Sequence, residues 1–188
     1  MQKKLRIIIS ILGALLLVMG TLFYIQVTVV KNTTPDNAKK SFEFTTIDGK
    51  TFHIKTGKRE FKIEEMKDKI VFLKIFGWEC EFCKKEIPQL IKLKKSLPDT
   101  FDILAIEAQK HTDAESNSYI KKFGINYNII SGTTHKDFYS YLQKEYGWTG
   151  VIPVTIVLSK DGYVLAFEIG SKSYSLSELL KASLEKKK

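Results

Sequence analysis

Two cysteines, Cys80 and Cys83, stand three apart in a single Cys-x-x-Cys, and the chain has no others. A disulfide that staples a fold does so by closing a long loop of the unfolded chain. A pair this close closes almost none, so the spacing points to chemistry rather than scaffolding. The reacting form of a thiol is the thiolate. Ile70–Phe76 (IVFLKIF) has the composition of a buried strand, and the residues after Cys83 follow a helical pattern through Leu97. Cys80 therefore falls where a strand hands over to a helix. There, unpaired backbone N–H groups and the positive end of the helix dipole favour an anionic sulfur. Cys80 is expected to be the nucleophile. Cys83, one turn further in, is expected to be the less exposed resolving thiol.

The neighbours adjust this expectation. Glu79 and Glu81 flank the nucleophile and oppose thiolate formation, whereas Lys84 and Lys85 favour it from the next turn. A strong oxidant stabilises its thiolate, so the two acids tilt the reading toward a reductant. Glu86 lies three residues after Cys83, on the same helix face. Partly buried, it would exchange protons with the Cys83 thiol. The same spacing also suits a surface glutamate paired among Lys85 and Gln89.

Other chemistries fit less well. Structural zinc needs four ligands. There is no second cysteine pair, and His53, His111 and His135 are far apart in sequence. No metal is expected, and no cofactor beyond the Cys80–Cys83 disulfide itself. A carrier binding Cu(I) through both thiolates is an alternative from another class, but Met1, Met19 and Met66 form no cluster. The formal charge is +9, from 30 basic and 21 acidic residues. The lysines are scattered and form no stripe interleaved with aromatics, so nucleic acid is not an expected partner.

The remaining elements read as a scaffold for the pair. Phe42–Ile54 is strand-like on both sides of Asp48-Gly49, a hairpin turn signal. Phe101–Ala108 reads as a strand, Asp113–Phe123 as a helix stopped by Gly124, Tyr127–Ile130 as a short strand, and Asp137–Tyr146 as a helix ended by Gly147. Val154–Ser159 and Tyr163–Ile169 flank Asp161-Gly162 as a second hairpin. Ser175 and Glu178 match a capping box that starts a last helix. Pro88 should kink the helix after the cysteines. Strands alternating with helices predict an α/β domain, with a mixed central sheet and helices on both faces.

At the N-terminus, Met1–Arg6 is short and basic, and no residue from Ile7 to Val30 is charged. A helix needs about 20 apolar residues to span a bilayer. Without a small-residue cleavage pattern, the segment reads as one retained transmembrane helix. The expected division is an anchor over residues 1–30, a linker over 31–40 and a folded domain over 41–188. The expected location is a single pass through the bacterial cytoplasmic membrane, with the domain on the extracytoplasmic, periplasmic side.

Phe76–Leu90 (FGWECEFCKKEIPQL) and Tyr146–Gly162 (YGWTGVIPVTIVLSKDG) together resemble the TlpA/ResA-like branch of the thioredoxin superfamily. The first carries that branch's Cys-(Lys/Arg)-(Lys/Arg)-Glu-(Ile/Phe)-Pro pattern, and the second is similar to its Tyr-Gly-Val-x-Gly-(Val/Ile)-Pro segment that ends in Asp-Gly. The resemblance implies a thioredoxin-like fold with an N-terminal hairpin, and an inserted strand and helix within Phe101–Ile130. It also implies that Pro153 is a cis proline facing the redox pair, and that the Ile152 backbone pairs with a substrate strand. It supports Glu86 as acid and base. Its activity is thiol–disulfide exchange with disulfide-bearing exported proteins, such as apocytochrome c, with a membrane protein as electron donor; the opposite direction, an oxidase or exchanger, is the alternative. The chain departs from the pattern at Glu79, where the family has tryptophan (here Trp78, one place earlier), at Glu81-Phe82, and at Lys74, where an acid or amide is usual. All of these, Trp78 included, are expected on the substrate-facing rim.

Overall fold

The computed structural model describes residues 16–21, 39–132 and 135–185. Contacts divide the chain into two units at Ala38/Lys39. In the first, Leu16–Thr21 are helical and exposed. The rest of the anchor expected over residues 1–30 lies outside the described residues, among which no helix is long and apolar enough to cross a membrane.

The second unit begins with β1 (Ser41–Thr45), β2 (Thr51–Gly57) and β3 (Glu60–Ile63), a three-stranded antiparallel sheet in sequence order. The hairpin at Asp48-Gly49 is present, and Gly49 takes the left-handed backbone that the turn requires (φ 85°). β3 is an addition to the sequence reading, since four residues with only two buried give too little alternation to recognise. A 3₁₀ turn, Glu64–Met66, leads into β4 (Ile70–Phe76).

The main sheet also holds β5 (Phe101–Glu107), β6 (Asn128–Ile130), β7 (Val154–Leu158) and β8 (Val164–Ile169), in the order β6-β5-β4-β7-β8. β4, β5 and β6 run parallel. β7 is antiparallel to β4, and β8 to β7. The helices are α1 (Glu81–Ser96), α2 (Asp113–Phe123), α3 (Lys136–Tyr146) and α4 (Leu176–Glu185). Each stop and start has a local cause. Thr112 and Glu115 form a capping box on α2, and Gly124 and Gly147 close α2 and α3 in the left-handed conformation. Ser175 and Glu178 exchange capping bonds at the head of α4. Pro88 lies inside α1.

Side chains alternate across the sheet, and each face builds its own core. Val71, Leu73 and Ile75 of β4, with Ile156 and Leu158 of β7, meet Phe44, Phe61, Phe138 and Leu142 from β1, β3 and α3. Phe72 and Phe76 of β4 and Val157 of β7 face the other way, against Ile87 and Leu90 of α1 and Leu179 and Leu180 of α4. Lys74 falls in the same alternation as Phe72 and Phe76, so a lysine points into the α1 side. It is 1% exposed. Gly132 permits a close crossing, because any β-carbon there would overlap the Glu107 carbonyl.

Candidate active site

The carboxyl end of β4 delivers the chain through Gly77, Trp78 and Glu79 to Cys80, the N-cap residue of α1. The Cys80 backbone is extended (φ −78°, ψ 113°), and its sulfur accepts the Cys83 N–H at 3.2 Å. This is one of the helix-start donors that lacks an intrahelical partner. Cys80 and Cys83 are joined as a disulfide, with Cα atoms 5.2 Å apart. Cys80 is half-buried and Cys83 is 2% exposed. Cys80 is thus the more accessible of the two sulfurs.

Trp78 is not on the rim. It is completely buried, stacked on Tyr119 of α2 with ring centroids 5.2 Å apart, and its indole N–H donates to Ser116 at 3.0 Å. An indole in an apolar stack satisfies its single donor and gains more from packing than from water. Trp78 supports the loop from beneath, where it has no surface to offer a client. Phe82, between the cysteines, is 53% exposed, and Val151, two residues before Pro153, is 50% exposed.

Lys74 is likewise misplaced by a rim reading. Its ammonium donates to Glu86 at 2.7 Å and to the Thr155 hydroxyl. Thr155 is its register partner across β4 and β7. Burial pushes the Lys74 ammonium below the ordinary lysine range, and the Glu86 carboxylate beside it pulls the other way. Glu86 therefore turns inward from α1, its side chain 15% exposed, and does not pair outward with Lys85.

The two acids beside the nucleophile differ in setting. Glu81 is held by Lys84 at 2.7 Å, and that hydrogen bond lowers its carboxyl below the ordinary range. Its charge is thereby offset, which weakens its expected opposition to the thiolate. Glu79 is exposed, and its carboxylate lies 3.9 Å from the His111 ring. Its N–H donates to the Gln109 side chain at 2.8 Å, and the Gln109 N–H donates to Glu107 at 2.8 Å. Glu107 is completely buried and also accepts from the His111 backbone at 3.0 Å. Buried polar groups persist when they are bonded in this way. Glu107 thus anchors the segment that holds the loop before Cys80.

The Ile152–Pro153 peptide bond is cis, as the resemblance implied. Pro153 is buried and Ile152 half-buried. Ile152 packs against both cores, including the one that contains the cysteines. Elsewhere, ligand atoms of His53, Glu64 and Glu65 lie within 4.8 Å of one another. There the carboxylates are occupied by internal pairs, Lys55 with Glu64 and His53 with Glu65.

Thr155, Glu107 and Gln109 are parts of the site that the sequence reading lacks, and Lys74 lies beneath the rim on which it was expected. A signal existed for two of them: Lys74 is the one charge in IVFLKIF, and Glu107 ends an apolar strand run. Neither names a partner.

A mixed sheet ordered β6-β5-β4-β7-β8, a dithiol at the head of the helix after its central strand, and a cis proline at the start of β7 define a thioredoxin-like fold. Solved structures agree. A DsbF homologue from Corynebacterium diphtheriae superposes with a TM-score of 0.60 at 20% identity, covering 79% of this chain and 85% of that one. An exposed lipoprotein thioredoxin from Streptococcus pneumoniae gives 0.56 at 20% identity, covering 78% and 99%. The chain belongs to the AhpC/TSA family, which residues 36–167 match. A curated relative, thiol-disulfide oxidoreductase ResA of Bacillus anthracis, is 24% identical over 116 residues. That match spans 61% of this chain and 63% of the relative, less than two thirds of its length.

Proposed function

We propose that this chain is a thiol–disulfide oxidoreductase that cycles Cys80 and Cys83 between dithiol and disulfide, and that it reduces disulfides in exported proteins. The carrying observation is the position of Cys80, which caps α1 with its sulfur on the Cys83 N–H while Cys83 stays buried. A helix start lowers the cost of the attacking thiolate. That thiolate opens a client disulfide and forms a mixed disulfide. Cys83, giving its proton to Glu86, then attacks Cys80 and releases the reduced client.

The client strand would lie along the Ile152 backbone beside Pro153, with Glu79, Phe82 and Val151 on its flanks. The exposed Glu79 supports reduction as the direction. The similarity to ResA supports the same activity and extends the proposal to apocytochrome c as a client and a membrane protein as electron donor. The uncharged run Ile7–Val30 supports an anchor that holds the domain on the outer side of a bacterial cytoplasmic membrane. The structurally similar pneumococcal protein is an exposed lipoprotein thioredoxin, which supports the same side.

Equilibration with defined thiol buffers tests the proposal. The pair should cycle fully, at a potential well below the roughly −120 mV of a strong oxidant. Failure to cycle defeats the activity, and a potential near that value defeats the direction. Cys83→Ser should accumulate mixed disulfides on Cys80, and mass spectrometry of these adducts names the client.

A further inference from the structure

We infer that Lys74 is a positioning residue of the dithiol reaction: it ties the Glu86 side chain to the sheet beneath the first turns of α1, where Glu86 takes the proton of the Cys83 thiol. This rests on the oxidoreductase reading above.

The first support is the cost of the arrangement. Lysine is almost never fully buried unless paired, yet Lys74 is 1% exposed in a face otherwise built from Phe72, Phe76, Ile87 and Leu90. A hydrocarbon side chain would fill that place without removing a charge from water. The second support is direction. The Glu86 side chain is 15% exposed and meets an ammonium on another element at 2.7 Å. Thr155 fixes the ammonium from the opposite side. Cys83 and Glu86 are one helical turn apart on one face, so the tether holds the carboxylate on the helix face that carries the resolving thiol.

The electron balance is simple. Cys83 passes its proton to Glu86, and the thiolate attacks the Cys80 sulfur of the mixed disulfide. The Cys80–Cys83 bond forms, the Cys80–client bond breaks, and the client sulfur leaves as a thiolate carrying the electron pair. A cleft of about 300 Å³, lined by Glu86, Thr155, Phe82 and Gln89 among others, gives Glu86 an exit for the proton. The charged and titratable groups facing this centre are Lys74 from β4, Lys85 from α1, Glu168 from β8, and Lys172 and Tyr174 after it. Tyr127, before β6, is near enough to be affected by the Glu86 charge. Glu168 is already paired with Lys172 at 3.1 Å. That leaves Lys74 as the cation bonded to Glu86 among the described residues.

The test uses the full chain, reduced and mixed with the disulfide of thionitrobenzoate. The first thionitrobenzoate released reports attack by Cys80. The second reports attack by Cys83 on the mixed disulfide. Lys74→Met should slow the second release about tenfold or more at neutral pH and displace its pH profile upward, since a general base contributes about 10²–10⁴ in rate. The pH profile of the first release should stay in place. A purely structural role would move neither profile, so an unshifted second profile overturns the inference. Lys74→Met/Glu86→Gln leaves no unpaired buried charge and serves if the single variant does not fold. It too should show the slow second step, and a fast one overturns the inference. If the unsubstituted chain releases neither thionitrobenzoate, the oxidoreductase reading fails and takes the inference with it. If it releases both and the variants match it, only the role of Lys74 fails.

Discussion

The two faces of the main sheet are built on different terms. Toward β1–β3 and α3, the buried side chains are almost all hydrocarbon and aromatic, and Phe138 makes edge contacts with Phe42 and Phe44 at centroid distances of 5.1 and 5.2 Å. Toward α1, the same strands present Lys74 and Thr155 between Phe72, Phe76 and Val157, and Cys83 belongs to the buried cluster on that face. One face maximises burial. The other accepts a charged pair whose desolvation works against stability. The difference teaches where this fold gives up stability, and it does so within a helical turn of its dithiol.

The comparison can be broken in four ways. The largest effect is on chemistry alone: Cys80→Ser should reduce turnover with a disulfide substrate by at least about a thousandfold while leaving the denaturation midpoint close to the parent's after reduction. A large gap in midpoint between the oxidised and the reduced parent would show that the pair is a staple. Next, on the apolar face, Phe138→Ala should cost about 3–5 kcal/mol by chemical denaturation, with near-normal turnover in the fraction that stays folded. On the charged face, Glu86→Ala should cost about 3–5 kcal/mol by stranding Lys74, and Lys74→Met/Glu86→Gln should return stability to the parent level without returning the rate. Additive losses in the double variant would remove the distinction between the faces.

The smallest effect concerns pH. Burial raises the phenols of Tyr127, Tyr139 and Tyr146 above the ordinary tyrosine range. A raised folded value means that the unfolded chain loses the proton first. The associated stability is therefore fully present below about pH 10 and is lost as pH climbs above it. Denaturation midpoints should fall on that limb. Tyr139→Phe should flatten the fall and change neutral-pH stability by less than about 1 kcal/mol, because the Tyr139 hydroxyl is buried without a hydrogen-bond partner among the described residues. A steeper fall in this variant would contradict the assignment.

Much of the scaffold was legible before any coordinates. Ile70–Phe76, Asp113–Phe123 and the capping pair Ser175/Glu178 were read with their observed bounds or bonds, because each depends on neighbours within a few residues. Cys80 at the helix start was legible for the same reason. β3 was not, because it is recognisable mainly by its pairing with β2 and by the Phe61 N–H bond to Gly162. Trp78 stands close to Cys80 in sequence, which suggests exposure, but α2, more than thirty residues later, covers it.

The sequence by itself determined the dithiol, the strand and helix that carry it, and the turns and caps around them, since spacing of a few residues dictates those geometries. Only the tertiary structure decided what lies beneath. Lys74 meets Thr155 from 81 positions away and Glu86 from 12. Such a meeting depends on strand order and register, which no local pattern encodes. A lone lysine in an apolar strand announces that a partner must exist, because an unpaired charge there is too costly, but the packed sheet and helix choose which residue it is.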